Sequence, residues 1–336
     1  MLLPKLYSLF TLYPCALSLS VNTGSHLFPA HNVFQFNETG TWLENIAIRA
    51  NGDLLTTMLT PTASLYTLKQ PYSATREFSL LHTFENATGL LGITEISNDN
   101  FAVLSTELDN TSNPVPGSST IWGVSFERDE FSTRQIASIP DVLLPNGITS
   151  IPNSSVVLLA DSIGGTVTRC DTLTGICEVV LERTETKSVS SALNPLGING
   201  LHYRNGYIYW SNSNLVSIFR MRVDKQGYPV PNAKVETIGT VDALLIDDFA
   251  EDYAGRFYVA TGGNNTIVEL RQNGSSEVMA GSLTELTVAG CTAAAFGRTV
   301  HDRTTLYVVT NGAIRAPVNG AIEPGKIVAL DTSRSV

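Results

Sequence analysis

Short β-rich runs recur along the chain at a nearly constant interval, and this period constrains the fold more than any other feature. Leu54-Leu-Thr-Thr, Phe101-Ala-Val-Leu, Val156-Val-Leu-Leu-Ala, Ile208-Tyr-Trp, Phe257-Tyr-Val-Ala and Leu306-Tyr-Val-Val-Thr begin roughly 47 to 55 residues apart. That spacing suits one four-stranded blade per unit. Each run follows a tight-turn pair: Asn51-Gly52, Asn98-Asp99, Asn153-Ser154, Asn205-Gly206, Ala254-Gly255 or Asp302-Arg303. Each is followed in turn by another strand-like run, such as Ser64-Leu-Tyr-Thr-Leu or Thr266-Ile-Val-Glu-Leu.

Helical periodicity is hard to find beyond the first residues, so the fold class expected is all-β. Six units arranged radially leave only short, protected sheet edges, which predicts a six-bladed β-propeller. The run His31-Asn-Val-Phe-Gln-Phe36 precedes the first unit and is placed to pair with the last blade and close the ring. No Pro/Ser-rich linker divides the chain, so residues 21–336 are read as one propeller domain.

Lys5, the apolar stretch after it and the small-residue exit Ser18-Leu19-Ser20 read as a signal peptide over residues 1–20. Six N-x-S/T sequons, at Asn37, Asn86, Asn110, Asn153, Asn264 and Asn273, fit a glycosylated protein of the secretory pathway. About half are expected to be used. Cys15 leaves with the signal, Cys170 and Cys177 flank a hairpin turn suited to a disulfide, and Cys291 is read as a buried thiol. Net charge is −10 and no Lys/Arg cluster occurs, which argues against nucleic acid or anionic membrane as a partner. No later stretch is long enough to span a membrane, and a soluble monomer is expected.

Chemistry is sought where the inner strand of each unit begins, about seven residues before the tight turn. Glu44, Asn146, Asn199 and Asp248 stand there, the two Asn in the matching contexts Pro145-Asn146-Gly147-Ile148 and Ile198-Asn199-Gly200-Leu201. Turn spacing favours Asp248 over its neighbour Asp247, although either is open to face the axis. Two carboxylates and two carboxamides converging on an axis suit Ca²⁺. Asn-Gly is also an ordinary turn dipeptide. Of the five histidines, His26, His31, His82, His202 and His301, only His202 follows a channel position closely, as a base or as packing. Trp42, Trp122, Trp210 and Phe249 are the candidate pocket walls, with core packing as the alternative. Motifs for nucleotide binding, dinucleotide binding, zincins and α/β-hydrolases are missing, so no nucleotide or organic cofactor is expected.

These stretches, with Leu43-Glu44-Asn45-Ile46 and Asp247-Asp248-Phe249-Ala250, resemble the SMP-30/gluconolactonase-like six-bladed propellers. By that resemblance Glu44, Asn146, Asn199 and Asp248 match the family's calcium ligands. The secreted, sequon-bearing chain, with Gly290-Cys-Thr-Ala-Ala-Ala-Phe-Gly297 in its last unit, looks like a fungal branch that includes hetero-Diels–Alderases of natural-product biosynthesis.

The resemblance implies a pericyclase that orients a quinone-methide-like diene and a terpene olefin in the central pocket. Such chemistry needs an apolar cavity and hydrogen-bond donors rather than a proton shuttle, and Glu44, Asn146, Asn199, Asp248 and His202 are its candidate catalytic residues. A Ca²⁺-dependent lactonase or esterase is the alternative, followed by a non-catalytic binding propeller. The expected ligand is a small apolar or aromatic molecule.

Overall fold

The computed structural model describes residues 27–127, 130–189 and 195–333; the expected signal segment, with Cys15, and His26 lie outside them. The described chain forms six antiparallel sheets of four strands each and one short 3-10 turn at Thr184–Thr186. This is a six-bladed β-propeller. The inner strands are Trp42–Ile48, Gly89–Ser97, Pro145–Ser150, Ile198–Arg204, Phe249–Glu251 and Cys291–Phe296, for blades 1 to 6 in order.

Blades 1 to 5 are meanders running outwards from the axis. Blade 6 takes its outermost strand from Ala30–Gln35, which pairs antiparallel with Lys326–Asp331 and closes the ring as the sequence suggested. At the turn after the inner strand of blade 4, Asn205 and Gly206 both have positive φ, 51° and 84°. That is the conformation a two-residue hairpin turn requires and the reason Asn-Gly stands there.

Second strands carry the loudest sequence signal because each is enclosed by neighbouring blades. Val156–Asp161 and Phe257–Ala260 are buried along their whole length. Outermost strands such as Glu77–Thr83 and Glu130–Ser138 face solvent and have no comparable apolar run. The core is a ring of interblade layers. Leu55 and Phe84 of blade 1 meet Leu90 and Phe101 of blade 2, while Leu158 of blade 3 meets Leu201, Trp210 and Phe219 of blade 4. Burying each large side chain contributes roughly 1.5–3 kcal/mol, so stability is spread around the ring and the axis remains open to function.

Cys170 and Cys177 are directly paired across the blade 3 hairpin and joined as a disulfide. Cys291 is a free buried thiol, which burial pushes up to about 12. The sequon residues Asn37, Asn86, Asn110, Asn153 and Asn273 are exposed. Asn264 is different: it is buried and its Oδ1 accepts the Leu244 N–H at 2.8 Å. Burial therefore sets Asn264 apart from the five exposed sequons. Among the described residues no helix is long and apolar enough to cross a membrane.

Candidate functional site

A local irregularity at the start of each inner strand aims the axial side chains. Pairing with the second strand slips between Leu43 and Asn45, Leu90 and Ile93, Pro145 and Ile148, Ile198 and Leu201, and Cys291 and Ala293. In blade 5 Asp247 N–H donates to Ala260 O at 2.8 Å and Ala260 N–H donates to Asp248 O at 3.0 Å, so both aspartates oppose one residue. Such bulges re-aim side chains. Glu44, Leu91, Asn146, Asn199 and Asp247 consequently line one mouth of the channel, the upper mouth. Asn45 and Asp248 line a separate cavity at the other end.

Two inner-strand positions next to these residues must be glycine. A Cβ on Gly147 would lie 2.4 Å from Leu201 N, and one on Gly200 would lie 2.1 Å from Asp248 Oδ1. The strands press together here, leaving no room for a side chain. The dipeptides Glu44-Asn45, Asn146-Gly147, Asn199-Gly200 and Asp247-Asp248 are thus equivalent, which corrects the expected tetrad. Asp247, not Asp248, completes it, because the turn spacing misses the bulge by one residue. Matching the dipeptides as units would have revealed this.

The upper mouth is walled by Trp42, Leu59, Leu91, Leu108, Pro114, Leu144 and Leu196, with Arg315 entering from the loop between the last two strands of the chain. Its cavity is about 40 Å³, room for a few waters. Trp42 Nε1–H donates to Glu44 Oε2 at 2.5 Å, and the Arg315 guanidinium sits 4.8 Å from the Trp42 ring centre.

Burial raises the Glu44 carboxyl to about 7, against the opposing pull of the Trp42 hydrogen bond and Arg315. Burial, then repulsion by Glu44, holds Asp247 well above the usual carboxylate range. Two desolvated carboxyls facing one guanidinium balance charge best when one of them keeps its proton. Asn199 donates Nδ2–H to Ser213 Oγ at 3.0 Å, and its buried Oδ1 has no hydrogen-bond partner among the described residues. Arg315 was missed in the sequence because it lies in a loop without strand periodicity.

The cavity at the opposite end holds His202, whose Nε2 lies 2.7 Å from Asp248 Oδ1. Asp248 also accepts from Asn45 Nδ2 at 3.0 Å and from Phe249 N at 2.7 Å. The Phe249 ring stands edge-on to the imidazole, 4.7 Å away. Burial disfavours the charged imidazole, but Asp248 and Glu251 outweigh it and hold His202 above its ordinary value.

His202, Asp248 and Phe249 therefore do not join Glu44, Asn146 and Asn199, contrary to the sequence expectation of one site. Nor do two of the tryptophans. Trp122 packs on Phe84 and donates to Ser105 Oγ at 3.0 Å. Trp210 is fully buried between blades, its Nε1–H donating to Glu185 O at 2.9 Å. Their indoles fill interblade layers because the third strand of blade 2 and the second of blade 4 lie away from the axis. Of the proposed walls only Trp42 stands at the upper mouth.

The oxygens of Glu44, Asp247, Asn146 and Asn199 are of the type that binds Ca²⁺. The guanidinium in the same cavity supplies positive charge but cannot ligate, and Trp42 already engages one Glu44 oxygen. Beside these oxygens the guanidinium brings the positive charge that a cation would otherwise supply.

The ring of six four-stranded sheets with its axial dipeptides defines the class as a six-bladed β-propeller. Solved neighbours include regucalcin, a calcium-binding protein of Agrobacterium tumefaciens, with a TM-score of 0.58 and 12% identity over 90% of this chain and 95% of that one. A protein named as a candidate gluconolactonase superposes with a TM-score of 0.56 and 14% identity over 92% and 94% of the two chains. At such identities the likeness concerns the fold alone.

Two relatives are nearer in sequence. The protein asR5 of Sarocladium schorii, named as a candidate hetero-Diels–Alderase, is 30% identical over 329 residues, covering 88% of this chain and 81% of its own. A Phoma sp. protein named in the same way is 29% identical over 296 residues, covering 81% and 84%. The chain belongs to this hetero-Diels–Alderase family. No protein-family model matches it.

Proposed function

We propose that the protein is a biosynthetic pericyclase of the hetero-Diels–Alder type, with its reaction centre at the upper mouth. One observation carries this placement: an apolar wall of leucines and Trp42 converges on the single guanidinium of Arg315. In the cycloaddition a conjugated C=C–C=O unit meets an olefin. One C–C and one C–O bond form, three π bonds become one, and no atom or electron leaves. Negative charge builds on the heterodiene oxygen as the bonds form. The guanidinium and a protonated carboxyl of Glu44 or Asp247 are the donors for it. The leucine walls hold the two partners together and exclude water. Loops carrying Leu108, Pro114 and Arg315 must part to admit them, since the cavity is only about 40 Å³.

The names of the two relatives support the reaction class. A diene of the quinone-methide type and a terpene olefin are the substrates proposed, with no resident metal. Export, cleavage near Ser20, glycosylation at exposed sequons, a single propeller domain over 21–336 and a monomeric state belong to the same reading. A hydrolytic alternative rests on Glu44, which burial brings to about 7 and hence into the range of a general base.

The deciding experiment assays the purified protein with a quinone-methide precursor plus a cyclic polyene, beside a lactone panel. A faster, stereoselective adduct without lactone turnover is expected. Lactone turnover with no change in adduct rate or stereochemistry would overturn the proposal.

A further inference from the structure

The cavity at the lower end of the channel is built as a site in its own right. Its volume is about 280 Å³, close to the lower end of the roughly 300–1,000 Å³ typical of small-molecule sites. Ile46, Ile93, Ile148, Phe249 and Phe296, from five blades, supply apolar walls. Asn45, Thr94, Glu95, Asp248, Glu251 and Arg298 share the lining, and beside them His202, whose side chain is 43% exposed although it lies deep in the body, faces the cavity.

Asp248 fixes the ring. Its carboxylate accepts from Asn45, from Phe249 N–H and from the His202 Nε2 side, so both of its oxygens are engaged. Among the described residues the one side-chain hydrogen bond of His202 is made at Nε2, which leaves Nδ1 for a ligand. At the rim, Glu95 pairs with Arg298 and Glu251 with Arg204, so those charges are already matched and an added ionic ligand gains little.

We propose that this cavity is a second small-molecule site, distinct from the upper mouth, which binds a neutral monocyclic phenol or enol through its hydroxyl on His202 Nδ1. A hydroxyl suits this edge in either protonation state, donating to the neutral imidazole or accepting from the imidazolium. The volume admits one substituted ring, and the isoleucine and phenylalanine walls match its faces. The site would hold its ligand whether or not the upper mouth performs a cycloaddition, so the two proposals fail independently.

The test titrates the full chain with p-cresol, and with toluene as the ring lacking the hydroxyl, by calorimetry and by the His202 imidazole resonance in NMR spectra. Saturable p-cresol binding with a Kd on the order of 1 mM or tighter is expected, with movement of the His202 resonance and at least about tenfold weaker toluene binding. His202→Phe removes the acceptor, and Ala295→Phe fills the cavity from its blade 6 wall while leaving the His–Asp pair intact; each should weaken binding at least about tenfold. Arg315→Gln, at the upper mouth, should leave it unchanged. Unsaturable binding, a stationary His202 resonance, equal affinity in Ala295→Phe, or loss in Arg315→Gln would each overturn the proposal.

Discussion

Asp247 and Asp248 are consecutive in the chain, yet they face opposite ends of the propeller, because both oppose Ala260 in a bulge. The roles of the two carboxyls are correspondingly separate. Asp248 ties three blades together through Asn45, His202 and Phe249. Asp247 shares the upper mouth with Glu44 and Arg315.

Asp248→Asn should cost about 1–3 kcal/mol, since part of this buried hydrogen-bond set loses its acceptor. Asp247→Asn should be neutral or slightly stabilising, because it removes a desolvated carboxyl that Glu44 repels. Urea unfolding of the two variants checks the order; a reversed order would contradict the assignment of faces.

Arg315→Gln should slow adduct formation about 10²- to 10³-fold, the usual loss on removing a donor from developing negative charge. Prolonged treatment with a chelator should leave the rate of the unaltered protein within about twofold, since the guanidinium already provides the positive charge. Rate measurements on both preparations test this. A wild-type rate in Arg315→Gln, or a collapse with chelator that Ca²⁺ restores, would contradict it.

Glu44 rises from 4.5 to about 7 on folding. Between those values Glu44 keeps a proton in the folded chain that it releases in the unfolded one, so its own contribution to stability is fullest below pH 4.5 and falls as pH rises towards 7. The loss is on the order of 3 kcal/mol, at about 1.4 kcal/mol per pH unit. Asp247 acts in the same direction. Urea midpoints taken in chelator across this range should decline for the unaltered protein and flatten in Glu44→Gln. Parallel curves would show that Glu44 is not held protonated.

Glycopeptide mapping of the protein expressed in a eukaryotic secretory host should find no glycan at Asn264, whose carboxamide is buried and bonded to Leu244. Occupied sites should come from Asn37, Asn86, Asn110, Asn153 and Asn273, which are exposed.

The six-unit period and its tight turns were legible in the sequence because the second strand of each blade is buried on both faces, as Val156–Asp161 shows. Outer strands such as Glu77–Thr83 were silent because solvent accepts any polar pattern there. Glu44, Asn146 and Asn199 were legible as a recurring polar position in equivalent units.

By itself, then, the sequence determined the all-β repeat, its number of blades and the approximate level of the axial residues, since these follow from local burial and turn chemistry. Tertiary structure alone decided which of two adjacent aspartates faces which end, and that His202 sits on the far side of the axial strands from Glu44. It also decided that Arg315 reaches the mouth from a late loop. Bulge phase depends on pairing with a second strand, and loop placement on closure of the whole ring. Neither is encoded in the spacing of neighbouring residues.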